Sequence, residues 1–410
     1  MNQTLLKEYA KLAVRSGVNV QQGQNVVIRA SVETKDLVRL LTEEAYLAGA
    51  KKVYVQWSDE YVSRLGYLYM DDETLADIAP SYLQMQHEFV DSGACFISIT
   101  SPIPGLNKDV DPKKMQKASI VAQKALAFVS HHTMGNKTQW TVIAMPNPVW
   151  AKQVFPDLSE ADAVETLMAA ILDASRVWEG KDTTQEWLRH NETLLAHNQI
   201  LNDYAFDHLR FKNNIGTDLV VKLVKNHVWA GGGEHTTGGV YFNPNIPTEE
   251  TFTMPHKFGT QGKVVATKPL NYQGKLIEDF WLQFDQGKVV AFGAKKEEAA
   301  LQSLLEFDEG SSYIGEIALI SHDSPISNSN ILFLNTLFDE NASCHMALGR
   351  AYPMNVQGGN DMSPEELEKV GYNQSMTHND FMFGSSDMSI IGVLEDGKEV
   401  TVFENGNFVI

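Results

Sequence analysis

Two cysteines in 410 residues, Cys95 and Cys344, are too few for a disulfide framework. That scarcity points to a reducing cytosol and a cytoplasmic localisation. Long apolar runs are also missing: none approaches the roughly 20 residues that span a bilayer, so no membrane partner is expected. Met1 to Val20 mixes acids and bases on an amphipathic helical pattern and does not read as a signal peptide. Basic charge is in short supply. Against 52 acidic residues stand 33 Lys and Arg, giving a formal charge of -19 and a pI near 5.0. Nucleic acids and anionic membranes select basic surfaces, so neither is expected as a partner. Several motifs are absent as well. There is no His-Glu-x-x-His, no Gly-x-Ser-x-Gly, no Gly-x-x-x-x-Gly-Lys and no Gly-x-Gly-x-x-Gly, which removes most support for single-zinc protease, serine hydrolase, nucleotidase and dehydrogenase readings.

What the chain does have is a set of acids and histidines in its C-terminal part: Glu250, Glu316, Glu340, His345, His378 and Asp380. His378 and Asp380 stand at i and i+2, so in a strand both point to one face. Glu340 and His345, at i and i+5, cannot share a strand face and need a turn or junction between them. Glu250 ends the segment Asn245 to Glu250, and Glu316 is expected at the mouth of a buried strand, Glu316 to Ile320. Any one of these residues is more often a solvated or hydrogen-bonded side chain. Together, beside apolar strands where an unpaired carboxylate is costly, they point to a site for two metal ions. A two-histidine, one-carboxylate iron site fits poorly, because no histidine follows His378. Cys344 adjoins His345, but neighbours in a strand face opposite ways and a free cysteine is most often a small core residue.

The length is enough for two domains with cores of their own. In the N-terminal half, strands are expected at Asn25 to Arg29, Lys52 to Trp57, Ala94 to Ile99 and Trp140 to Met145. Helical patterns lie at Lys35 to Leu47, Asp72 to Phe89 with a break at Pro80, and Asp111 to Val129. Alternation of this kind implies a mostly parallel sheet with flanking helices. A capped helix start at Ser159 opens a helical stretch that runs, with breaks, to about Asn202. Beyond Tyr204 the texture becomes short alternating stretches such as Leu219 to Leu223 and Lys288 to Phe292, with helices near Glu297 to Leu305 and Ser363 to Val370. The expected architecture is an N-terminal α/β domain, residues 1–202, and a β-rich α+β domain, residues 203–410, that holds all six candidates. Gly231-Gly232-Gly233 reads as a turn, not as a phosphate cradle, since no helix follows it.

The stretches Asn245 to Thr253, Asp323 to Asn328, Asn335 to His345 and His378 to Gly384 closely resemble the aminopeptidase T / aminopeptidase S (PepS-type) metallopeptidases. So do Tyr9 to Val14 and Val18 to Gln24, so the resemblance covers nearly the whole chain. It implies a metal-dependent aminopeptidase that releases N-terminal residues from short peptides through a water activated by two divalent ions, Zn, Co or Mn. It also implies that Glu250, Glu316, His345, His378 and Asp380 are the ligands, with Glu316 between the ions. Glu340 is implied as a further ligand or as the base, and Tyr352 as a donor to the oxyanion. Substrates with a free N-terminus and a homodimer enclosing the active sites complete what the resemblance implies. Asn379 and Phe383 depart from the family's usual residues, and neither is a proposed ligand.

Overall fold

The computed structural model describes residues 2–272 and 275–410; Met1, at the head of the expected N-terminal helix, lies outside them. The helix forms over Gln3–Leu12, with the Asn2 side chain accepting from the amides of Thr4 and Leu5, and continues as a π-turn over Ala13–Gly17. Two compact units emerge, Met1–Arg189 with Gly233–Pro247, and His190–Gly232 with Thr248–Ile410. Residue 202, where the sequence suggests a boundary, lies near the end of the helix Thr183–Tyr204, and the division falls earlier, within that helix. Residues 233–247 join the first unit through main-chain hydrogen bonds such as Val142 N to Pro244 O and Thr237 N to Asn136 O.

The first unit carries a four-stranded, wholly parallel sheet in the order Lys52–Ser58, Asn25–Ser31, Cys95–Thr100, Trp140–Ala144. Val26, Val27 and Ile28 are all buried, as in a strand covered on both faces. The helix Lys35–Leu47 packs through Leu37, Val38, Leu41 and Ala45, the helical spacing that marks it in the sequence. Pro80 occupies the first turn of the helix Pro80–Asp91, where its missing N–H costs nothing. One helix, Glu60–Tyr69, has no counterpart in the sequence pattern. It buries no residue, so its apolar side chains carry no core-facing stripe, and its start is fixed by Asp59 accepting from the Tyr61 and Val62 amides.

The second unit is β-rich and antiparallel. An eight-stranded sheet runs from Lys288–Gly293 to Asn407–Phe408, and a four-stranded sheet has the order Thr251–Thr253, Ile314–Leu319, His345–Gly349, His378–Met382. The smaller sheet shows the two-sided logic of a strand. Ile317, Leu319, Met346, Leu348 and Phe381 enter the apolar core beside Phe211, Phe280 and Phe284. Alternation then sends Glu316, His345, Ala347, His378 and Asp380 to the opposite face. The expected α/β plus β-rich division of fold is therefore what the chain adopts.

Candidate metal centre

Glu316 lies inside its strand, third of six buried residues in Ile314–Leu319, and not at the strand mouth as the sequence suggests. The apolar run from Ile317 hid Ile314 and Gly315 as strand residues, because a glycine and a charged residue together read as a terminus. Across the sheet, Glu316 pairs with Ala347, and Ala347 pairs with Asp380. The small alanine between two acids leaves the space above it to their longer side chains. His345 and His378 stand on either side of this row, opposite Ala318 and Gly349. Gly349 has φ +114°, and a Cβ there would collide with the Thr377 carbonyl beside His378, so the close pairing that places this imidazole requires glycine.

The side chains converge. His345 Nε2 lies 3.3 Å from Glu250 Oε2 and 3.4 Å from Glu316 Oε1. His378 Nε2 lies 3.6 Å from Glu316 Oε2 and 3.4 Å from Asp380 Oδ1. Two groups result, Glu250 with Glu316 and His345, and Glu316 with His378 and Asp380, each with ligand-type atoms within 4.8 Å of one another. Glu316 belongs to both and turns one oxygen to each. On the far side of the His378 ring, Nδ1 donates to the Arg350 carbonyl at 2.7 Å, an arrangement that leaves Nε2 to face the carboxylates. Cys344 is not part of the cluster. Buried beside Ile320, its Sγ lies 3.5 Å from that residue's carbonyl, and burial pushes the thiol up to about 11.

Glu340 falls outside both groups. It begins the turn Glu340–Ala342, which fills the gap between it and His345, and it faces the cluster through charge. Asn341 ties this turn to the neighbouring acids: its Nδ2 donates to the Leu337 carbonyl at 3.1 Å and its Oδ1 accepts from the Glu249 amide at 2.7 Å. The glycine triplet has a part here that the sequence does not reveal. Gly231, at φ +143°, lets its loop pass against the Glu250 main chain, where a Cβ would strike the carbonyl oxygen. Asn198 holds that loop by donating to the Gly231 carbonyl at 3.0 Å. Tyr352 packs its ring against His378, with centroids 4.8 Å apart, and against Phe252 at 6.3 Å.

Electrostatics show what the cluster needs. Burial, reinforced by Asp380 and Glu250, holds the Glu340 carboxyl well above the usual range, and burial raises Glu316 as well. Burial alone would lower both imidazoles. At His345 the hydrogen bonds to Glu250 and Glu316 overcome it and hold the pKa well above the ordinary value, while at His378 the charge of Asp380 overcomes it and raises the pKa to about 9. Burial and then the acids Glu316, Asp380 and Glu340 keep the Tyr352 phenol protonated. Four carboxylates and two imidazoles thus share one partly or wholly buried region. Even with both imidazoles charged, four ionised acids leave a net charge of -2, whereas two divalent ions and neutral imidazoles bring it to zero. Among the described residues no donor reaches the buried Asp380 Oδ1 in hydrogen-bond geometry, His378 Nε2 at 3.4 Å included, and a cation satisfies such an oxygen. Mixed oxygen and nitrogen donors suit such ions.

A sequence family described as thermophilic metalloprotease (M29) matches residues 2–408. Aminopeptidase AmpS of Bacillus subtilis (strain 168) is 45% identical over 403 residues, 98% of each chain. Aminopeptidase 2 of Geobacillus stearothermophilus is 43% identical over 98% of this chain and 97% of its own. The solved structure of wild-type AmpT from Thermus thermophilus superposes with a TM-score of 0.93 at 36% identity, covering 100% of both chains. A 2,5-dihydroxypyridine dioxygenase from Pseudomonas putida KT2440 reaches a TM-score of 0.51 at 14% identity over 99% of this chain and 96% of its own. That last likeness is one of fold alone, and fold does not dictate chemistry.

Proposed function

The chain belongs to the M29 family of metalloproteases and is a peptide hydrolase, and from that premise we propose an aminopeptidase that takes short peptides by their free N-terminus and works with two divalent ions. Glu250, Glu316, His345, His378 and Asp380 would hold the ions, Zn, Co or Mn. Bound there, a pair of such ions supplies an activated water and polarises the scissile carbonyl. The chain's own groups do the rest. Glu340 takes the proton of the attacking water and returns it to the leaving amine. Tyr352, protonated by its surroundings, donates a hydrogen bond to the oxyanion. Glu316 supports the two-ion reading best, because its two oxygens face two different imidazoles within 3.6 Å. We also place the enzyme in the cytoplasm, on the strength of two buried free thiols, and expect a homodimer, which light scattering of the purified chain tests at once.

The direct test is hydrolysis of free and N-acetylated aminoacyl amides by metal-stripped protein, with and without added Zn, Co or Mn. Cleavage of free amines alone, restored by metal, is the expected result. Turnover of acetylated substrates, or full activity after stripping, would remove the proposal.

Loading should also release protons. At pH 7.5 the metal-free His378, with its pKa near 9, is charged, as is His345, and each must lose a proton to become a ligand. Protons are therefore released on loading, with the raised Glu316 adding to the two imidazoles, and apparent affinity should rise with pH through about 9, where His378 titrates. Calorimetry in buffers of different ionisation enthalpy counts them. Binding heats independent of the buffer would contradict this.

A further inference from the structure

Beside the candidate centre lies a recess with a polar side, formed by Asn271, Asn335, Thr336 and Asp339, and an apolar side. Leu270 and Leu276 contribute from the hairpin strands Leu270–Tyr272 and Lys275–Ile277, Leu332 and Leu334 from the loop before the helix Thr336–Asp339, and Met382 from the end of its strand. Glu340 and Asp380 line the same recess. Because Glu340 and Asp380 line both the recess and the candidate centre, a side chain seated in the recess belongs to a residue held at that centre.

One wall is held under strain. Leu334 has φ +57°, a left-handed conformation that a leucine rarely adopts. The Asp339 carboxylate fixes it from both sides, Oδ1 accepting from the Phe333 amide at 2.7 Å and Oδ2 from the Asn335 amide at 2.9 Å. Asp339 immediately precedes Glu340, so one short helix sets both the strained leucine and the acid. Strain kept at a bulky residue on the wall of a recess is a mark of function, since a glycine or asparagine would adopt the same backbone at less cost.

We propose that this recess receives the side chain of the residue released, that it selects apolar side chains, and that Leu334 is its specificity-determining wall. The inference rests on the aminopeptidase reading above. Two variants test it: Leu334→Asn keeps a residue that tolerates the left-handed backbone and makes the wall polar, and Leu276→Ala removes the hairpin wall without touching the strained loop. The metal-loaded enzymes are assayed on Ala, Leu and Phe p-nitroanilides, and on Leu-X dipeptides with X varied. Wild type should prefer Leu and Phe to Ala. Both variants should lower the Leu-to-Ala ratio of kcat/KM by about ten-fold or more, the scale of losing apolar contacts to a side chain, with ratios across X unchanged. Unaltered Leu-to-Ala ratios, a wild-type preference for Ala, or a shift confined to the X series would overturn the assignment. A wild-type enzyme that cleaves no substrate in either series would instead overturn the aminopeptidase reading beneath it.

Discussion

Replacing Glu316 by glutamine should abolish metal retention and lower kcat/KM on the best aminoacyl substrate by on the order of 10³-fold or more. Glutamine keeps the volume and removes the charge and one strong ligand oxygen. Because Glu316 is the one side chain common to both groups of ligand-type atoms, its loss strikes both at once. Glu250→Gln and Asp380→Asn should each weaken one group only, with smaller losses of metal. The fold should survive. Burial raises the Glu316 pKa, so in metal-free protein the neutral amide relieves a desolvated acid, and the melting temperature of stripped Glu316→Gln should not fall below that of stripped wild type. The measurement is elemental analysis after dialysis, alongside kinetics. Wild-type metal content with kcat/KM within ten-fold would refute a shared role for this carboxylate.

How much of this was legible in the sequence depends on what each element buries. Lys35–Leu47 was marked residue for residue, because Leu37, Val38, Leu41 and Ala45 recur at helical spacing and pack inward. Glu60–Tyr69 was not, because nothing in it is buried. The alternation of His378 and Asp380 was visible, and those two residues do share a strand face. What no local pattern reveals is register. The row Glu316, Ala347, Asp380, and with it the sharing of Glu316 between two imidazoles, depends on strands pairing over separations of about 30 residues. Long-range pairing is set by whole-sheet packing, so the importance of Ala347 had no signal in its own neighbourhood. The left-handed Leu334 was equally hidden, since its conformation is imposed by Asp339 against the preference of the residue itself.

Glu340→Gln separates two roles that the sequence left open, base and additional ligand. The structure's geometry favours the base: Glu340 stands outside both groups of mutually close ligand-type atoms, on a turn rather than on a strand, yet close enough for its charge to be felt by Asp380, Glu250 and Glu316. A base beside two bound ions would stand outside their ligand set and within reach of the attacking water. The variant should therefore retain the full wild-type metal content and a nearly unchanged KM, while kcat falls by about 10²- to 10⁴-fold. The acidic limb of the wild-type kcat profile should also vanish, since an amide has no proton to lose in that range. Glu340→Asp, one methylene shorter, should recover part of kcat, because the group is right and only its reach is wrong. If Glu340 is a ligand, metal content falls together with kcat in the glutamine variant, and a drop from two ions to one per chain would move this residue out of the role of base.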